Sequence, residues 1–592
     1  MRAPYLRSVS ASVEYQDRFL GYNHTENASV GEFYDMNNLT SDLYPVISPR
    51  NARGTFSFPD GGAEYSAKAI IAKDALCFVS GDRFFINNIP VEGFEVPPVY
   101  DEKGNEKRIS LVSMGAYVLI FPQRLYINTI DHTDCGSIDA EFVSESGVNF
   151  ELAKADGTAY QNLPTVKPEE GTETENPFYL DLSQTPNVVM QYSETSKAWV
   201  PVSTTYVKIS AHGIANSFKE GDGIEISGIT AEPFKDLNGS HVIQKKDESE
   251  DGSYIVIIGI ISTTGSVSNE VTISRKAPEL DFVVESQNRL WGCKYGRTEE
   301  GVVNQIYASK LGDFKNWRCY QGISSDSFYA NLGSDGYFTG AITFQGHPVF
   351  FKEGCIHKVY GSVPSNYQVQ TTALNGVQKG CDRSLAIVNN VLYYKGIAGI
   401  YAYDGSLPVF YSSAFGDESY SSAVAGVFGN KYYVDVNEKL TNSRVLFVLD
   451  TQKGIWHKED GVSAGGFAAD GENLYYFDAD TGKIHTVDSD SCVNVSWFAE
   501  TGILGKDTPD RKYVSKMNVR ANVSPGARIS FFIEYDSFGG WQHLSTVSGR
   551  TLQSFDIPLI IRRCDHFRLK IEGRGDVKIH SIAKTIREGG GR

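Results

Sequence analysis

Several stretches of this 592-residue chain carry residue types that could do chemistry. Gly461-Val462-Ser463-Ala464-Gly465 fits the Gly-x-Ser-x-Gly pattern of a serine nucleophile, which needs a strand before the serine and a helix after it. No helical period follows, so it reads as a loop between strands. Asp478-Ala479-Asp480-Thr481-Gly482 opens like a calcium loop, but Ser489 stands where a bidentate glutamate is required. A hairpin turn is the expectation there. Arg574-Gly575-Asp576 lies between two alternating apolar runs and reads as another turn. The acidic run from Asp247 to Gly252 reads as a solvated hairpin tip and not as paired catalytic carboxylates. Walker, HExxH and GxGxxG patterns are missing.

Asp450-Thr451-Gln452-Lys453-Gly454-Ile455-Trp456 keeps an Asp, a Gly and a Trp of the Asp-box found in sialidases, at a different spacing, and reads as a hairpin. The expectation is therefore a protein that is not an enzyme, with no catalytic residue, cofactor or metal site.

The elements that would position any site are strands. The run from Phe282 to Tyr320 holds three or four short ones, with a turn at Gln287-Asn288. Equivalent apolar-aromatic strands begin at Leu76, Tyr117, Leu290, Val349, Leu392, Tyr432 and Leu474. Most steps between them fall near the roughly 40 to 45 residues of a four-stranded propeller blade, apart from one long gap after Tyr117. A sheet that small cannot bury both faces alone, so the copies must stack on one another.

The expected class is all-β: a β-propeller of about seven blades with an inserted small β-barrel and a C-terminal β-sandwich. Residues 1–60 are read as an irregular segment that covers a propeller face or closes its ring, 61–133 as the first blades, 134–278 as the insert, 279–490 as the remaining blades, and 491–592 as the sandwich. The 33 Tyr, 33 Phe and 57 Gly suit pleated surfaces and tight turns.

Charge is unevenly divided. The formal net charge is −17, yet residues 491–592 hold 16 Lys and Arg against 10 Asp and Glu, a net of +6, which leaves −23 for the rest. An acidic body repels nucleic acid, and the basic end suits an acidic neighbour. Arg562, Arg563, Arg568, Lys570 and Arg574 are the candidate protein-interface residues. The eight cysteines are spread singly, without CxxC, which points to reduced buried thiols. The chain shows neither a signal-peptide pattern nor a long apolar run, so a membrane segment is not expected.

Asn38-Leu39-Thr40-Ser41-Asp42-Leu43-Tyr44-Pro45, the stretch from Glu285 to Gly292, the stretch from Ile306 to Trp317 and Arg562-Arg563-Cys564-Asp565-His566 together resemble virion tail proteins of tailed bacteriophages of Firmicutes, of the stabilisation or nozzle type. The resemblance implies a structural tail component, a nozzle or hub ring around the DNA exit channel, made in the host cytoplasm and resident in the virion. It implies a homo-oligomeric ring, a hexamer by analogy. Its partners would be other tail and head-tail connector proteins, with DNA passing through without specific binding. The alternative is a carbohydrate- or receptor-binding tail-tip propeller, suggested by Tyr360, Tyr401 and Trp541; a glycosidase ranks third.

Overall fold

The computed structural model describes residues 11–588 other than 57–64, 161, 162, 174, 176, 249–251, 300, 490, 508 and 509. Part of the acidic run after Asp247 thus lies outside the described residues. The protein is all-β: the described residues form strands and four short 3-10 turns, with no α-helix among them.

Among the described residues seven four-stranded antiparallel sheets succeed one another, spanning 67–95, 110–137, 282–331, 340–372, 386–410, 420–460 and 464–486, the last completed by Gly54–Thr55. The N-terminal segment thus supplies the fourth strand of the seventh sheet, pairing Thr55 with His485. The first strands lie beside one another in order: Ala67–Lys73, Ser110–Met114, Phe282–Ser286 and Gly340–Phe344. The turn Asp382–Ser384 then leads into Ala386–Val388, followed by Tyr420–Phe428 and Ala464–Ala469. Ala464–Ala469 packs back against Ala67–Lys73, so the order of contacts closes on itself.

The second strand of each sheet explains why the sequence shows unbroken apolar runs there and not alternation. In Ala75–Ser80, Cys77 and Val79 join a core with the second sheet, while Phe78 joins one with the seventh. Likewise Val118 and Ile120 face one neighbour, and Leu119 and Phe121 the other. A strand covered on both faces has no solvated side to carry polar residues. Three sheets share the same first hairpin, a two-residue turn with both residues at positive φ: Gln287-Asn288, Gln345-Gly346 and Asn389-Asn390. That conformation matches the right-handed strand twist and favours Asn and Gly.

The insert between the second and third sheets holds an eight-stranded antiparallel sheet, with strands Ala140–Val143 and Gly265–Val267 at its ends, and a separate three-stranded sheet over 178–201. Its core, around Phe150, Ile224 and Ile257, is its own. Its strands Ala140–Val143, Gly265–Val267 and Thr272–Arg275 are only three or four residues long, too short to show a period in the sequence.

The C-terminal region is not self-contained. Its sheet runs in the order Ala11–Gln16, Val577–Glu588, Lys512–Tyr535, Phe567–Arg574, Ser496–Thr501, Glu32–Asn37 and Gly21–Tyr22, with Gln542–Ile557 on the other side of Lys512–Tyr535. Three of these strands come from the N-terminal segment. Phe19, Tyr22, Phe33 and Met36 of that segment share one core with Phe447 and Trp456 of the sixth sheet and with Trp497 and Phe531 of the C-terminal region. Each such side chain contributes about 2–3 kcal/mol by burial, so the two halves are held as one body.

Gly21 marks the closest approach. Its φ is +83°, and a Cβ there would lie 2.2 Å from the Trp456 carbonyl oxygen. Gly21→Ala is expected to lower stability by roughly 2–4 kcal/mol, since backbone must move on both sides. Chemical denaturation measures it.

Candidate functional site

The five basic residues singled out from the sequence do not form one free surface. Strand pairing sets Lys570 opposite Glu500 and Arg568 opposite Glu534. Lys570 accordingly pairs with Glu500 at 3.1 Å and Glu572 at 2.8 Å, and Arg568 with Glu534 and Glu500, both at 3.6 Å. Burial pulls the Lys570 ammonium down, but its hydrogen bonds to Glu572 and Glu500 outweigh it and hold it above its ordinary value. Both cations also lie against the Trp541 ring. Cross-strand charge pairs of this kind stabilise the sheet and leave little charge for a partner. Arg574 is exposed, donates to Asn494 at 3.3 Å, and lines a cleft of about 400 Å³.

Arg562 and Arg563 are different. Both are exposed, on the segment that returns after the edge strand Gln542–Ile557. The Tyr535 hydroxyl donates to the Ile560 carbonyl at 2.7 Å and pins this segment beside the hairpin tip. There Phe538, Ile560 and Ile561 are 72, 59 and 61% exposed, with the Arg562 guanidinium 5.5 Å from the Phe538 ring centre. Bulky apolar side chains and arginines without cover have the composition of a protein interface. Arginine was legible in the sequence; the exposure of Ile560 and Ile561 was not, because an apolar pair after Pro558 looks like any buried strand.

A polar seam joins the N-terminal segment to the sixth sheet. Arg50 contacts Glu459 at 3.3 Å and Asp460 at 2.6 Å, and Arg53 contacts Asp460 at 3.0 Å. Burial raises Glu459 above the usual carboxylate range, with Arg50 and Arg53 opposing it. Beside it His457 is fully buried, neither ring nitrogen has a hydrogen-bond partner among the described residues, and burial, with the nearby Lys431, pushes it down to about 3.

The first strands of the sheets enclose a cavity of about 260 Å³, lined by Arg108, Asp382, Arg383, Val424, Gly466 and Phe477 among others. Arg108 grips both carboxylate oxygens of Asp382. Burial and Arg108 push Arg383 down to about 10. No sequence pattern links Arg108 and Asp382, which lie 274 positions apart.

The motif stretches lie in turns between strands. Ser463 sits between two strands with no helix after it and donates to Asp480 at 2.9 Å. The Asp478 carboxylate accepts from the Asp480 and Thr481 amides, closing a hairpin turn. Arg574-Gly575-Asp576 is a turn with Gly575 at φ +81°. Of the three aromatics that suggest a tail-tip propeller, Tyr401 is buried against Tyr394, Trp541 is half-buried, and Tyr360 is 38% exposed.

No family model and no curated protein matches the chain. Among solved structures it is similar to an exo-β-1,3-galactanase from Phanerochaete chrysosporium with galactose (8% identity, TM-score 0.20, 51% of this chain and 95% of that one). It is also similar to a Trypanosoma rangeli sialidase in complex with sialic acid (10% identity, TM-score 0.15, 83% and 93%). A third is the extracellular domain of a putative hybrid two-component system from B. thetaiotaomicron (8% identity, TM-score 0.15, 87% and 97%). The expectation that the chain is not an enzyme is corrected here: similar structures include a galactanase and a sialidase, so the exclusion of catalysis, drawn from missing motifs alone, does not stand. At these TM-scores the same structures assign no activity either.

Proposed function

We propose that the chain is a structural protein of a bacteriophage tail, built on a seven-bladed propeller that strand Gly54–Thr55 closes, and that it assembles into a ring around the DNA exit path. Seven sheets with circular contacts support the propeller. The observation that carries the assembly role is the tip at Phe538, Ile560, Ile561, Arg562 and Arg563, an apolar and cationic surface on a chain of net charge −17. In the ring this tip meets the acidic body of the next copy, a head-to-tail contact that closes at a fixed rotation. Acidic surfaces facing the axis repel DNA phosphates and let the duplex pass without sticking. Light scattering on the purified chain together with rotational averaging of single-particle images tests this: a closed ring of one stoichiometry supports it, and a monomer at all concentrations counts against it.

One observation favours the second reading, a glycan- or receptor-binding tail-tip protein. A cleft of about 430 Å³ between the third and fourth sheets is lined by Tyr320, Phe328, Tyr329 and Pro364, with Tyr320 and Tyr329 half-exposed and edge-on to each other. Sugar rings stack on such aromatic faces. Binding on a glycan array that Tyr320→Ala and Tyr329→Ala abolish would establish it, and an array without hits would remove it.

A further inference from the structure

The cavity among the first strands holds three charged groups, of which only two are matched. Arg108 and Asp382 satisfy each other. Among the described residues Arg383 makes no hydrogen bond or ion pair, although it lines the same cavity and reaches across to the seventh sheet, where a Cβ added at Gly466 would lie 3.7 Å from its Nη1. The cavity thus carries one unmatched positive charge inside a chain that is acidic overall. Burial and the Arg108 charge carry a cost for its protonated form that the nearby Asp382 carboxylate offsets only in part. An anion seated beside it would remove that cost.

We propose that the cavity binds the carboxylate group of a small organic monoanion, with the Arg383 guanidinium as its partner. The planar fork of an arginine matches the two oxygens of a carboxylate. One unmatched positive charge balances one negative charge, whereas a phosphate dianion would be left half-neutralised. The lining is mixed, and its apolar part, Ile70, Leu385, Val424 and Phe477, takes the organic body of the acid. Gly466 leaves the space beside the guanidinium open. This goes beyond the tail reading and does not rest on it, since a scaffold, a receptor-binding protein or an enzyme could each carry such a site.

Calorimetric titration of the full chain at constant ionic strength tests the site with acetate, butyrate and benzoate, each against its neutral amide, and with inorganic phosphate. The expected result is saturable binding of at least one carboxylate, with its amide and phosphate at least tenfold weaker. Arg383→Gln is expected to weaken that carboxylate at least tenfold, and Arg383→Lys to keep part of the affinity. Asp382→Asn frees the second guanidinium and is expected to raise phosphate affinity at least tenfold. Equal binding of acid and amide overturns the proposal, as does an Arg383→Gln protein that is folded and binds like the wild type, or no carboxylate binding at all. Should Arg383→Gln fail to fold, the acid–amide comparison on the wild type and the phosphate response of Asp382→Asn still decide it.

Discussion

Reversing the charge of Arg562 and Arg563 together, to Glu, is expected to weaken the proposed self-association at least 100-fold and leave monomers in place of the proposed ring without lowering the melting temperature. Both side chains are exposed, so folding does not depend on them. Arginines beside uncovered apolar groups rank among the residues whose loss costs most at an interface, about 2 kcal/mol or more each, and reversal adds repulsion from the acidic neighbour. Lys570→Met is the matched control. Lys570 already pairs with Glu500 and Glu572, so its loss should reduce stability and leave assembly intact. Sedimentation velocity separates the two outcomes. A double reversal that still forms rings would remove this tip from the assembly.

The second large effect is a pH dependence carried by His457. Its folded-state pKa is depressed to about 3 from an ordinary 6.5. Between those values the unfolded chain binds a proton that the folded chain refuses. Stability therefore rises with pH across this window, and the contribution is lost as pH falls below about 6.5. The slope is about 1.4 kcal/mol per pH unit for one such group. Asp42, Asp450 and Asp460 face the same seam with carboxyls held low, and their contribution is lost at lower pH, as each protonates. Glu459, held high by burial, has the opposite sign and partly offsets the loss. His457→Leu, close in volume and with no hydrogen bond to lose, should leave stability at pH 7.5 unchanged or raised and flatten the slope between pH 6.5 and 4.5. Urea denaturation at each pH reads it, and an unchanged slope would show that His457 is not the group responsible.

What was legible in the sequence was the repeat. Strands with buried residues on both faces, such as Leu392-Tyr393-Tyr394 and Leu474-Tyr475-Tyr476, stand out as apolar runs at regular steps, and Asn-rich turns set their hairpins. The N-terminal segment was legible only as something that covers or closes. That Gly54–Thr55 completes the seventh sheet while 11–37 joins the C-terminal one depends on contacts more than 400 residues apart, and strands of two residues leave no period to read. The basic C-terminal surface was half legible. Composition supplied the arginines and lysines, but their neutralisation by Glu500 and Glu534 follows from register, which composition does not carry. The cavity around Arg383 left no trace at all, because its lining comes from turns and first strands of separate sheets.

The proposed place in the tail is tested most directly by imaging phage particles with a gold-tagged antibody raised against the exposed tip around Phe538 and Arg562. Label on the tail, repeated around its axis, is the expected result. Purified particles that carry no label, while the free protein binds the same antibody, would contradict a place in the tail.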